Sequence, residues 1–242
     1  MVKRIFILFF IVILGGCSII KDDTIINNSN TNEFEGLEQE KVDSNTNNIE
    51  DIVPIQMDSN IIFAKPVIYL YPEEEITIKV KLDYKGELLF TYPKYDEGWE
   101  VLAKPNGDLI SLKDGREYSY LFWEGDGASY EITEGFVVSG SETVPFLQER
   151  LEYLGLIPRE YNEFIVYWLP LMEKNNYNLI YFVGEEYVED AQLIIDPKPD
   201  SIQRIFMVFK GLDDKIEIPE QALQPFERHG FSVVEWGGAE IK

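Results

Sequence analysis

The chain predicts an α+β, β-rich fold, an antiparallel sheet or sandwich over about 61–138 followed by an α+β half with two or three short helices. Three observations carry this. Short aromatic and β-branched runs recur from Ile61 onward, bounded by Gly, Pro and Asn turns. Ile76, Ile78, Val80 and Leu82 alternate with Glu75, Thr77, Lys79 and Lys81, the two-residue period of a strand with one wet face. Helical signals begin only after residue 139, where the chain could divide into two subdomains.

In order, Ile61-Ile62-Phe63 and Val67-Ile68-Tyr69-Leu70-Tyr71 flank Pro66, which predicts a strand buried on both faces and bent or edged at the proline. The alternating strand over 76–82 turns at Gly86 into Leu88-Leu89-Phe90-Thr91-Tyr92, which Pro93 ends. Trp99-Glu100-Val101-Leu102 and Leu109-Ile110-Ser111-Leu112 follow around the turn Pro105-Asn106-Gly107-Asp108, and 117–123 makes a sixth run. Ser141 and Pro145 open a helix whose Phe146, Leu147, Leu151 and Leu154 share a face before Gly155 stops it. A helical turn is expected over 158–162. Phe164 to Leu169 and Leu179 to Val183 read as a hairpin around Asn175-Asn176-Tyr177-Asn178. Further strands are predicted over 193–195, 202–209 and 231–236, with a short helix over 220–228 closed by Gly230. No internal repeat is present.

The N-terminus carries an address. Lys3 and Arg4 precede the apolar stretch Ile5 to Leu14, and Leu14-Gly15-Gly16-Cys17 ends it. Ten apolar residues suit an export signal, whereas a membrane span needs about twenty. Leu14 to Cys17 resembles the lipobox of bacterial lipoproteins, which implies removal of residues 1–16, fatty acylation (palmitate) of Cys17 and anchoring at the extracytoplasmic face of the cell membrane. A buried or idle thiol is the alternative. With a single cysteine the chain forms no internal disulfide, so the exported part depends on its core. Residues 17–59, rich in Asn, Ser, Thr, Asp and Glu, read as a lipidated cysteine and a disordered acidic tether, and 60–242 as one globular domain.

The net charge is −23, from 21 basic and 44 acidic residues. Nucleic-acid binding requires cations that displace phosphate counterions, so this balance argues against it. His229 is the sole histidine, which excludes a multi-histidine zinc site and an HExxH protease. Its place at the end of the expected helix over 220–228 suits a dipole contact better than catalysis. No G-x-S-x-G elbow occurs.

Carboxylates beside tryptophans remain. Trp123, Glu124 and Asp126 lie in Phe122-Trp123-Glu124-Gly125-Asp126-Gly127, and Glu235 and Trp236 precede Gly237-Gly238. An indole face stacks on sugar while carboxylates accept its hydroxyls, so these five residues are the candidate ligand contacts. Glu124, Asp126 and Glu235 are the candidate acids if the protein is a hydrolase. In a chain this acidic, turn or cap roles for the same carboxylates stand beside the ligand role. Glu124-Gly125-Asp126-Gly127 also suggests calcium, although counting from Glu124 places Ser129 and Gly135 where an EF-hand needs Gly and Glu. No other cofactor is expected. The aromatic group Tyr161, Phe164, Tyr167, Trp168, Tyr177, Tyr181, Phe182 and Tyr187 suits a core better than a binding platform.

Four segments, Lys65-Pro66-Val67-Ile68-Tyr69-Leu70-Tyr71-Pro72, Phe122-Trp123-Glu124-Gly125, Asn162-Glu163-Phe164-Ile165-Val166-Tyr167-Trp168-Leu169-Pro170 and Val233-Val234-Glu235-Trp236-Gly237-Gly238, together resemble an uncharacterised family of secreted or lipid-anchored bacterial proteins. The resemblance spans the domain from about residue 61 and implies one continuous module, with no catalytic residue to carry over. The expected function is an envelope binding protein whose ligand is a glycan, a peptide or a partner protein with a basic patch. A carboxylate-dependent hydrolase and an assembly accessory without a pocket are the alternatives.

Overall fold

A computed structural model describes residues 55–56, 62–127 and 129–241. The leader, Cys17 and most of the stretch read as a tether lie outside the described residues. Within them the fold is α+β and β-rich. The first half holds β1 (Ile55–Gln56), β2 (Ile62–Tyr71), β3 (Ile76–Tyr84), β4 (Leu88–Tyr92), β5 (Trp99–Ala103), β6 (Leu109–Ser111), β7 (Glu117–Tyr118), β8 (Leu121–Asp126), β9 (Glu131–Ile132) and β10 (Phe136–Ser139). The second half holds α1 (Thr143–Tyr153), α2 (Pro158–Met172), β11 (Tyr177–Val183), α3 (Glu185–Asp190), β12 (Ala191–Asp196), β13 (Ser201–Leu212) and β14 (Ser232–Ile241).

Seven strands form one sheet in the order β10-β11-β13-β14-β2-β8-β4, and five form another in the order β12-β3-β5-β6-β7. Both sheets draw strands from either side of residue 139. Every pairing is antiparallel except β13 with β14, where Arg204 lies opposite Glu235. A separate pair joins β1 to β9, so Ile55 and Gln56, within the stretch read as tether, pair with Ile132 and Glu131.

Alternation along the strands of the larger sheet creates two cores. Ile68, Leu70, Trp123, Phe206, Val208 and Val233 point one way and meet Ile78, Val80, Trp99 and Val101 of the smaller sheet. Val67, Tyr69, Ile205, Met207, Phe209 and Trp236 point the other way and meet Leu147 and Leu151 of α1 and Phe164 and Trp168 of α2. The domain is therefore three layers, sheet on sheet on helices. β2 changes phase where its register against β8 shifts between Phe63 and Val67, at Lys65 (φ 61°) and Pro66, so that Phe63 faces the same core as Ile68 and Leu70. The predicted bend sits there.

Three expectations are corrected. Residues 164–169 belong to the helix α2, not to a strand of a hairpin. Phe164, Ile165, Trp168 and Met172 are all buried on one helical side, while Val166 is 74% exposed. Burying each large apolar side chain contributes about 1.5–3 kcal/mol, which outweighs the few tenths of a kcal/mol by which aromatic and β-branched residues disfavour a helix. Pro158 opens α2 at its first turn, and the Ile157 N–H donates to the Glu160 carboxylate at 3.0 Å.

Residues 220–228 form no helix. Pro225 lacks the N–H that a helix needs there, and it steers Gln224 away from helical angles. Instead Gln221 mimics a strand, its side chain accepting from the Phe182 N–H at 2.9 Å and donating to the Phe182 carbonyl at 2.8 Å. Without that helix His229 has no helix end to meet. Its backbone N–H and carbonyl bond the Ser201 hydroxyl at 3.2 and 2.9 Å. Finally, the run 117–123 is split between β7 and β8, and α3 and β10 were not foreseen.

Candidate functional site

The sequence-predicted residues divide between the two faces of the larger sheet. Trp123 and Glu235 point into the core between the sheets, and both are fully buried. Trp236 points into the helix-side core, edge-on to Phe164 at 5.3 Å between ring centroids. A buried indole has no face free for a sugar, so neither tryptophan is a stacking platform as they stand here. Gly238 explains the glycine pair that follows: a Cβ there would come within 2.3 Å of the Met207 carbonyl oxygen and 2.8 Å of the Trp168 indole. The glycine lets helix and strand approach closely.

Glu124 alternates with Trp123 along β8 and so lies on the helix side, half-buried and near Tyr167, whose hydroxyl is pushed up by burial and by the Glu124 charge. Glu124 and Glu235 thus lie on opposite faces and do not converge. Asp126 is exposed and accepts from the Glu87 N–H, pinning the turn between β3 and β4. That contact is the turn role expected as the alternative to ligand binding. Among the described residues no group of three or more His, Cys, Asp or Glu side chains is placed to hold a metal ion.

Glu235 is the centre of a different constellation. Its Oε1 accepts from the Trp123 Nε1–H at 3.0 Å. Its Oε2 accepts from the Tyr187 hydroxyl at 2.9 Å and from the Arg204 Nε–H at 2.6 Å. Each strand or helix contributes one member: β8 the indole, α3 the phenol, β13 the guanidinium and β14 the carboxylate. The parallel register brings Arg204 and Glu235 side by side, both pointing into the core between the sheets. The guanidinium also lies 4.7 Å from the Tyr187 ring centroid. Burial and the Glu235 charge hold the Tyr187 hydroxyl well above its ordinary range. For Arg204, burial acts to lower the pKa, but Glu235 and Tyr187 outweigh it and the net shift is upward. The guanidinium stays charged.

The Arg204 side chain is only 5% exposed, and its Nη1 and Nη2 have no hydrogen-bond partner among the described residues. A guanidinium offers five N–H donors, and Glu235 takes one. Beside it lies a cavity of about 450 Å³, open to solvent where β13 faces α3 and β12, and lined by Val188, Glu189, Gln192, Leu193, Ile202, Gln203 and Arg204. Apolar walls over a few convergent polar groups are the usual form of a ligand pocket. A larger cavity of about 650 Å³ lies along β10. Its Arg150 already covers the Phe136 and Phe146 rings and sits 3.7 Å from Glu149 and Glu220, so it offers less unspent chemistry.

Arg204 escaped sequence reasoning, and Tyr187 was read there only as a member of an aromatic group suited to a core. The available signal was a lone cation at an inward position of Ile202 to Phe209, in phase with Phe206 and Val208, together with a lone acid in phase with Val233. Two opposite charges at inward positions of apolar strands imply a buried pair.

The molecule is thus a three-layer β/β/α domain with an apolar mouth between its sheets, lined in part by Arg204, the cation of a buried ion pair. The comparisons add little to that class. A Butyrivibrio fibrisolvens protein described as "Uncharacterized protein in bglA 3'region" is 49% identical over 65 residues, 26% of this chain and 66% of that protein. The chain therefore spans slightly less than two thirds of that relative. No protein-family profile matches the chain, and no solved structure matches it. Among the described residues no helix is long and apolar enough to cross a membrane.

Proposed function

We propose that the protein is an extracytoplasmic lipoprotein, anchored through Cys17, whose domain binds an envelope ligand in the mouth between the two sheets. The address rests on the run from Lys3 to Cys17. The observation that carries the binding role is the buried Arg204 guanidinium, whose Nη1 and Nη2 find no acceptor among the described residues while the residue lines a solvent-open cavity. An unpaired buried donor costs about 1–3 kcal/mol, and a ligand that supplies the acceptor recovers that loss on binding. Binding rather than hydrolysis is favoured because Glu235, the carboxylate paired with Arg204, is fully buried and already accepts three hydrogen bonds.

The test has two arms. In bacterial cells the chain fractionates with membranes and incorporates labelled palmitate, and Cys17→Ser loses both; a wild-type chain that stays soluble and unlabelled refutes the address. On arrays of wall glycans, peptides and envelope proteins, ligands retained by the wild type are lost with Ile202→Asp, which puts a charge into the apolar wall. Ile202 is 40% exposed, so the variant folds. Retention that ignores Ile202→Asp refutes the mouth as the site.

A further inference from the structure

The mouth lies beside a sheet edge that no other strand pairs among the described residues. β12 pairs with β3 on one side and ends the smaller sheet on the other, and its Gln192 and Leu193 line the cavity. An edge strand presents a row of unpaired N–H and C=O groups, the template to which an extended segment adds. Ile194, in the middle of β12, is 55% exposed.

The charges at Arg204 and at the rim differ, and the difference specifies the occupant. Arg204 is already balanced by Glu235, so its remaining donors require an acceptor without further charge. A carboxylate there would add a second anion beside Glu235 and face Glu189, with little water to screen the repulsion. An amide carbonyl satisfies the donors and leaves the pair neutral. The rim segment 184–196, which gives Val188, Glu189, Gln192 and Leu193 to the lining, carries Glu185, Glu186, Glu189, Asp190 and Asp196 and neither Lys nor Arg. Asp190 is held by Lys85 at 3.0 Å, while Glu185, Glu186 and Glu189 are exposed and make no ion pair among the described residues. Such a rim attracts cations and repels acids.

Building on the binding role above, we infer that the mouth receives an extended polypeptide segment, apolar in its centre and basic at its flanks. The segment adds to this edge of β12, inserts an apolar side chain between Val188, Leu193 and Ile202, and presents a backbone carbonyl to the Arg204 Nη donors. The two nitrogens are buried in the unliganded domain, so the inserted segment displaces the side chains over them as it docks. Six residues of β12 span about 20 Å, room for a matching segment of six or seven.

The probe is a fluorescent pool of blocked heptapeptides with Lys at both ends and five positions varied over Ala, Val, Ile, Leu and Phe. Binding to the full chain in detergent is read by anisotropy at 0.15 M salt. A matched pool carries Glu at both ends, and a third carries the Lys ends with alternate amides methylated. The Lys pool binds; the Glu pool and the methylated pool each bind at least tenfold more weakly. Ile202→Asp loses the Lys pool, and Glu189→Lys narrows the gap between Lys and Glu pools at least threefold. No binding of the Lys pool, equal binding of all three, or insensitivity to Ile202→Asp overturns the inference. If an N-acetylated wall glycan binds and is lost with Ile202→Asp while every peptide pool fails, the polypeptide inference falls and the mouth remains a binding site. If no ligand of any class responds to Ile202→Asp, both fall.

Discussion

Replacing one partner of the Arg204–Glu235 pair tests whether the charges depend on each other. Both side chains are withdrawn from water, at 5% and 0% exposure. Removing one partner of such a pair costs about 3–5 kcal/mol, and at about 2–4 °C per kcal/mol for a domain of this size the melting temperature falls by about 6–20 °C. Glu235→Gln leaves the guanidinium buried without a counter-charge, and Arg204→Met leaves the carboxylate with only the Trp123 and Tyr187 donors. The double variant buries no charge, and the Gln oxygen still accepts one of those hydrogen bonds. Its loss is about 1–2 kcal/mol, less than that of either single variant. Guanidinium unfolding followed by circular dichroism, run on all four proteins, gives the coupling. A value of about 2 kcal/mol or more is expected, and losses that simply add to within about 0.5 kcal/mol refute the pairing.

Other consequences are as direct. Burial, with nearby carboxylates, raises the hydroxyls of Tyr69, Tyr130 and Tyr187 above their ordinary range. In the unfolded chain these groups ionise near pH 10, so their contribution is present below that pH and lost as the pH rises beyond it. Phenolate absorbance at 295 nm for these residues therefore appears together with the loss of circular dichroism, and an earlier smooth titration of every tyrosine would contradict their burial. Gly238→Ala drives a methyl against the Met207 carbonyl and the Trp168 indole, with an expected loss of about 1–3 kcal/mol in denaturant titration. Gln221→Ala strands the buried Phe182 N–H, with an expected loss of about 1–3 kcal/mol and faster amide exchange at Phe182.

What the sequence reveals depends on how local its cause is. β3 is legible because one face stays wet, and its side chains do alternate between buried and exposed from Thr77 to Asp83. α1 is legible because Pro145 and Gly155 mark its ends; Gly155 has φ 88°, and a Cβ there would meet the Phe226 carbonyl at 2.8 Å. α2 is misread because Glu163 to Trp168 has strand-like composition, and only the sheet beneath it decides that Phe164 and Trp168 face the same way. The expected helix over 220–228 had suitable Gln, Ala and Leu residues, yet Pro225 and the backbone of β11 overrule them.

The candidate site is harder still. Trp123 and Glu235 were singled out for an imagined surface, and they meet as core partners, 112 positions apart in sequence. Arg204 stands 31 positions from Glu235, joined to it only by the parallel register of β13 and β14. No periodicity within either strand records that register. Charge in phase with apolar neighbours was the one trace of it.

The strand order has a consequence for synthesis. β14 lies in the interior of the larger sheet, flanked by β13 and β2. A growing chain that has emerged only as far as residue 231 holds those two flanks with nothing to join them, and Arg204 with no counter-ion. Cooperative collapse therefore waits for β14, and the native shape is completed only once residues 232–241 have joined the two flanks.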